Sequence, residues 1–132
     1  MLFNDTKPTS LVTAPVGSDP TLYRFLEDSG AVAAPTAAGA TNREGLGKYK
    51  AIDVVATCAV DSYKIGVWWW YVQAGVWVFD TSIGYVDVNA GNSPIAFPVL
   101  NLTASVCATE IALEIKDVVG AALANVWLIG RQ

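Results

Sequence analysis

The sequence predicts an all-β fold: a single antiparallel β-sandwich of about seven or eight strands, with jelly-roll or Ig-like topology. Short runs of Val, Ile, Thr and aromatic residues recur between turn residues at the regular spacing that is typical of sandwiches. Residues 64–80 place two such runs around Ala74-Gly75, which indicates a β-hairpin. No helical pattern of useful length interrupts this series.

The chain begins with a stretch that we predict to be an extended N-terminal arm. Residues 1–20 contain three prolines and Gly17, so they offer little to a core, and the sandwich domain is expected over residues 21–132. Residues 21–28 are ambiguous, since Asp19-Pro20 resembles a helix start while the following residues also alternate as a strand does. The all-β context favours the strand.

Residues 30–47 are rich in Ala, Gly and Thr and contain Pro35 and Gly39, so we predict a long small-residue loop. Loops beyond about 12–15 residues are uncommon in compact domains unless they have a function. We therefore expect this segment to be mobile or to lie on a partner.

From Lys48 onward, apolar and polar residues alternate regularly along the sequence. A first strand is predicted with an inward face made by Ile52, Val54, Ala56, Cys58 and Val60. Later strands are predicted over residues 85–89, 95–102, 106–116 and 123–129. In the strand over 106–116, the inward face is predicted to hold Cys107, Thr109, Ile111, Leu113 and Ile115. Pro98 argues that its strand lies at a sheet edge or carries a bulge.

The hairpin differs from an ordinary half-exposed strand because it is apolar on both faces. Val67, Trp69 and Tyr71 share one face, whereas Trp68, Trp70 and Val72 share the other. Either the outer face is covered within the sandwich, or it meets a partner.

Composition narrows the function classes. Charged residues make up 15% of the chain, against about 25% in average proteins, which argues against a lone, freely soluble monomer. The net charge of −4 and the eight scattered basic residues argue against nucleic-acid binding. The chain has no histidine, which removes histidine-based catalysis and most zinc sites. We expect neither a signal peptide nor a membrane span, and synthesis in a cytoplasm.

No residues form an evident catalytic set. The central carboxylates fall at outward positions or turns, where they keep a sheet soluble: Asp53, Asp61, Asp80, Asp87, Glu110 and Glu114. We therefore predict no enzyme activity, no metal site and no cofactor. Cys58 and Cys107 are too few for a disulfide framework and are expected to be buried free thiols.

Three segments carry a resemblance. They are Lys-Tyr-Lys-Ala-Ile-Asp-Val-Val-Ala-Thr at 48–57, Trp-Trp-Trp-Tyr-Val-Gln-Ala-Gly-Val-Trp-Val-Phe-Asp at 68–80, and Asn-Val-Trp-Leu-Ile-Gly-Arg-Gln at 125–132. In style the chain resembles small β-sandwich virion proteins of tailed bacteriophages, of the capsid decoration or cement type. The resemblance implies a protein without chemistry that is made in a host cytoplasm and binds the major capsid protein or other virion proteins. It implies assembly outside membranes and a viral destination but does not specify the part of the virion, for which we predict the capsid exterior. The charge-poor composition and the doubly apolar strand predict a homo-oligomer or a lattice-bound protein.

Two function classes follow. The first is assembly, with Leu2, Phe3, Leu11, Trp68 and Trp70 as predicted interface residues. The second is a carbohydrate-binding module, or a neck or tail protein that reads a receptor, with a platform made by Trp68 and Trp70. An open, ring-sized platform would favour glycan binding, whereas covered rings would favour assembly.

Overall fold

A computed structural model of the chain describes residues 21–36, 43–46, 49–100 and 107–131, which form nine β-strands and no helix. No helix in this described part has the length and apolarity to cross a membrane. The strands are β1 (Thr21–Ser29), β2 (Glu44–Gly45), β3 (Ala51–Thr57), β4 (Ser62–Tyr71), β5 (Val76–Phe79), β6 (Val86–Asn89), β7 (Ile95–Leu100), β8 (Glu110–Val119) and β9 (Ala124–Arg131).

The strands form two antiparallel sheets whose pairing is nested. The first sheet has the order β1-β9-β3-β7, and the second has the order β2-β8-β4-β5, with β6 also paired to β4. The first strand thus pairs with the last, the second with the eighth, and the third with the seventh. This is jelly-roll order, because an Ig-like sandwich pairs several consecutive strands, whereas here only β4 and β5 are consecutive neighbours. The predicted β-sandwich is confirmed.

Alternate residues of both sheets fill one core, as the period of a strand requires. The long β8 contributes Ile111, Leu113 and Ile115, each at most 1% exposed, and they share a cluster with Ile52 and Val54 of the first sheet and Trp69 of β4. This confirms the predicted inward positions of these residues, whereas Thr109, predicted to share the inward face of β8, is exposed and lies before the strand begins. Tyr63, the tyrosine that the described residues place in the buried core, donates its hydroxyl to the carbonyl of Thr57 at 2.7 Å. Burial raises the pKa of Tyr63.

Several element boundaries differ from the predicted ones. Strand β3 ends at Thr57 and a bend follows, so Val60 is 46% exposed rather than inward. Strand β8 starts only at Glu110, so Cys107 lies outside it and is exposed, which corrects the predicted burial. At its other end β8 continues to Val119, beyond the predicted end of the strand at residue 116.

Two local predictions are confirmed by the sheet positions. Residues 21–28 belong to strand β1, at one edge of the first sheet. Strand β7 is the opposite edge, and its register shifts where Leu100 and Pro98 face Ile52 and Asp53. Because proline cannot donate to a ladder, the edge and the irregularity are where it costs least.

The segment 30–47 is not simply a loop, which corrects that prediction for its described residues. Val32 exchanges two backbone hydrogen bonds with Ile115, at 2.9 and 3.0 Å, and β2 pairs with the same strand further along. Leu46 is 7% exposed and joins the core. The reason is positional: the edge of β8 offers backbone partners to any extended segment, whatever its β-propensity. The predicted arm, residues 1–20, lies outside the described residues.

The facing of β8 yields a stability prediction. Leu113→Ala is expected to lower the free energy of unfolding by about 2–5 kcal/mol, because it removes a buried side chain and leaves a cavity. Leu123→Ala is the matched control, since Leu123 is 48% exposed, and its cost should stay under about 0.5 kcal/mol. Urea unfolding measures both, and equal losses would mean that the facing of β8 is inverted.

Candidate interaction surface

Five aromatic side chains cover the outer face of the second sheet, which the core does not use. We call them the aromatic layer; its members are Trp68, Trp70, Trp77, Phe79 and Tyr85. The hairpin register sets Trp70 opposite Trp77 and Trp68 opposite Phe79, with ring centroids 5.3 and 5.4 Å apart. Tyr85 packs on Phe79 at 4.6 Å. All contacts are tilted, so the rings stack against one another rather than forming one flat plane.

Arg43 closes one end of the aromatic layer. It lies just before β2, and its guanidinium reaches 5.8 Å from the ring centroid of Trp70 and 5.2 Å from that of Trp77. The same guanidinium donates through Nε and Nη2 to the two carboxylate oxygens of Glu110, the latter at 2.8 Å. These hydrogen bonds hold the pKa of Glu110 below its usual value. The ion pair of Arg43 and Glu110 therefore holds the guanidinium against the rings of Trp70 and Trp77.

Glu114 holds the other end of the aromatic layer. Its Oε1 accepts from the indole nitrogen of Trp68 at 3.0 Å and from the hydroxyl of Tyr85 at 2.8 Å. The ammonium of Lys116 lies 4.2 Å from the centroid of the Tyr85 ring. The pKa of Tyr85 is raised to about 12, mainly by burial and secondly by the hydrogen bond to Glu114.

Gly66 makes room for this end of the aromatic layer. It is a buried residue in the middle of β4, where glycine is normally unfavourable. A Cβ at this position would lie 2.7 Å from Cε1 of Tyr85 and 3.1 Å from Cε1 of Phe79. The two rings can therefore lie directly on the strand only because residue 66 has no side chain.

Asp80 ties the end of β5 to the core. Its Oδ1 accepts from the backbone nitrogens of Ser82 and Ile83, both at 3.1 Å, and from the Ser82 hydroxyl at 2.6 Å. Its Oδ2 accepts from the indole nitrogen of Trp69 at 2.9 Å. Burial opposes ionisation of this carboxyl, but the hydrogen bonds outweigh it and hold the pKa of Asp80 below its usual 3.8.

The far end of the hairpin leaves apolar side chains uncovered. Val72, Val76 and Val78, which we call the valine flank, are 60%, 44% and 45% exposed. Val78 pairs with Trp69 and Val76 with Tyr71, so the two β5 valines lie on the core-facing side of the hairpin. They are exposed at the sheet edge, while Trp69 in the next strand is buried.

The predicted site residues have different outcomes. Trp68 and Trp70 lie side by side on the outer face as predicted, half-buried within the aromatic layer. Leu2, Phe3 and Leu11 lie outside the described residues.

Sequence reasoning missed Arg43 and the rings that cover the two tryptophans. The alternation of Val76–Phe79 across the hairpin was a sufficient signal for Trp77 and Phe79. Arg43 had no local signal, because it reaches the hairpin from a distant segment.

The cysteines and carboxylates suggest no further chemistry. Cys58 is a buried free thiol, as predicted, and its Sγ lies 3.2 Å from the carbonyl oxygen of Val60. Within the described ranges, no three or more Cys, Asp or Glu side chains are grouped so that they could hold a metal ion.

Comparisons with known proteins found no relative. No family model matches the chain, and neither the curated proteins nor the solved structures contain a match. Function therefore has to be inferred from the geometry of the chain itself.

The contact of Tyr85 over Gly66 can be tested by adding one methyl group. Gly66→Ala is expected to displace Tyr85 and to lower the free energy of unfolding by about 1–3 kcal/mol through overpacking. The pKa of the Tyr85 phenol should fall from about 12 toward its usual 10.0. Gly45→Ala is the control, because a Cβ there meets no atom within 4 Å. Urea unfolding and a spectroscopic phenol titration measure the two effects; an unchanged phenol titration in Gly66→Ala would contradict the contact.

Asp80 predicts a pH-dependent contribution to stability. Asp80→Ala should cost about 1–3 kcal/mol at neutral pH, because it leaves the Trp69 indole nitrogen without its acceptor. Since the folded-state pKa of Asp80 is depressed, its ionic contribution is present above the usual 3.8 and is lost as pH falls through the depressed value. The difference between parent and variant should therefore narrow toward about pH 2. Asp53→Ala, at an exposed position of β3, is the control in the same urea series. A difference that stays constant with pH would be the contrary result.

Proposed function

We propose that this chain is a non-enzymatic virion structural protein, a bacteriophage capsid decoration or cement protein that binds and stabilises the outside of the capsid lattice. Its partners would be the major capsid protein or other virion proteins. The proposal concerns binding through surfaces and assigns no catalytic step to the chain.

The observation that carries the proposal is the internal use of the tryptophan rings. Trp70 is tilted by 47° against Trp77 and is approached by Arg43, while the indole nitrogen of Trp68 is engaged by Glu114. Stacking on a sugar needs an open, flat ring face, whereas the rings of Trp68 and Trp70 pack against those of Phe79 and Trp77. What stays open is the valine flank, which suits contact with another protein.

Fold and composition give weaker support in the same direction. The jelly roll is an architecture of viral capsid domains, although it also occurs in lectins and enzymes, so it supports the proposal only by analogy. The low charged fraction of 15% fits a protein that is covered by neighbours in a lattice. The resemblance at residues 48–57, 68–80 and 125–132 adds the virion context.

Glycan or receptor reading through the Trp-rich hairpin is the alternative. Tyr85, at the margin of the aromatic layer, is 38% exposed and is the most accessible of the five rings. A platform of this kind would require Trp68 and Trp70 to separate from their present neighbours. A glycan array probed with the purified chain distinguishes the two functions, because the decoration role expects no glycan signal.

The test of the assembly role combines imaging with a truncation. In particles purified from cultures that produce this chain, electron cryomicroscopy with antibody labelling should place it at repeated lattice positions. Deletion of residues 1–20 should leave the unfolding midpoint close to that of the parent, while binding to particles that lack the protein is lost. The physical reason is that an extended arm adds contacts to neighbours rather than to its own core.

Each other outcome has a definite meaning. If the truncated chain unfolds, residues 1–20 belong to the core of their own domain. If it binds undiminished, the arm is not the attachment and the hairpin becomes the next candidate. Absence of the chain from all purified particles would overturn the proposed function itself.

A further inference from the structure

Strand β5 is an unprotected sheet edge. It pairs with β4 through four residue pairs, and no strand of the described part pairs with its other side. An edge strand presents a row of unpaired backbone N–H and C=O groups, which is a template for another extended chain. Natural edges are blunted by charge, proline, bulges or shortness.

The other outer strands carry such protection. Strand β1 has two register shifts, β2 is two residues long, and β7 contains Pro98 together with a register shift. Strand β6 carries the charged Asp87. Strand β5, with the sequence Val-Trp-Val-Phe, has no charge, no proline and no register shift. Among the described strands, it is the edge best suited to pairing.

Strand β5 and the valine flank are apolar, and the charged groups nearest to the strand are Arg43, which is paired with Glu110 beside Trp77, and Asp80 at its end. The valine flank lies beside the edge with 44–60% of each side chain exposed. From Ile65 to Phe79 the sequence contains no charged residue, although the chain as a whole has a net charge of −4. Two copies of an acidic chain repel through most surfaces, but they meet here without facing like charges.

We propose that β5 is the interface between two copies of this chain, which pair antiparallel across a two-fold axis and join their second sheets into one. In such an isologous contact the same edge is used by both copies. The free N–H groups of each β5 donate to the free C=O groups of the other, so the two identical edges are complementary. The valine flanks of the two copies then cover each other. The interface rests on the proposed assembly role, as the contact that would link copies on the lattice.

The experiment places a charge at the interface and a matched charge elsewhere. Val78→Lys inserts an ammonium beside the edge, whereas Val60→Lys changes a valine of similar exposure, 46% against 45%, outside the hairpin. In analytical ultracentrifugation the parent should be a dimer, and Val78→Lys should weaken dimerisation at least about tenfold while Val60→Lys leaves it unchanged. Unfolding midpoints close to that of the parent show that both variants are folded.

If Val78→Lys fails to fold, hydrogen exchange of the unmodified chain tests the same interface. Amide hydrogen exchange of Val76–Phe79 should slow as protein concentration rises through the dimerisation range. A parent that stays monomeric, equal dissociation of both variants, or concentration-independent exchange would each overturn the interface. In the last case, protection at every concentration means that the edge is covered by the same chain.

The interface and the proposed function fail separately. A monomer that binds the capsid lattice would remove the β5 interface and leave the decoration role standing. A β5-paired dimer that is absent from particles would do the reverse.

Discussion

Strand β4 has to be covered on both of its faces, and most of the second sheet follows from that requirement. Val67 and Trp69 on one side need the first sheet, and Trp68 and Trp70 on the other need an outer cover. The chain supplies part of that cover itself: it turns at Gly75 and pairs β5 beside β4, which sets the rings of Trp77 and Phe79 against those of Trp70 and Trp68. Apolar surface that would otherwise be open is thus half-buried within one chain.

Four charged residues hold the aromatic layer in place: Arg43, Glu110, Glu114 and Lys116. Arg43 and Glu110 are hydrogen-bonded to each other beside the indoles of Trp70 and Trp77. Glu114 accepts a hydrogen bond from the Tyr85 hydroxyl, while the ammonium of Lys116 lies over the ring of Tyr85. Charges fixed in this way orient the rings rather than attract a ligand. Around the hairpin, the described surface leaves open the backbone edge of β5 and the valine flank, on which the proposed interface between copies rests.

Alternation in the sequence predicted which way residues face but not which strands meet. The burial of Ile111, Leu113 and Ile115 and the outward position of Trp68 follow from a period of two, which is local information. The jelly-roll order and the reach of Arg43 depend on pairings between distant segments, which no local pattern encodes. Cys107 was misplaced because alternation was extended beyond the start of β8, where no neighbour enforces it.

Nested pairing also determines when the fold can close as the chain is synthesised. Thr21 pairs with Gly130, so the first strand has no neighbour in its own sheet until the last strand has been made. Among the strand pairs that the structure describes, the hairpin of β4 and β5 joins the residues closest in sequence and can therefore form early. During translation the growing chain therefore exposes the apolar residues of β1 until β9 has been synthesised, whereas the hairpin of β4 and β5 can form earlier.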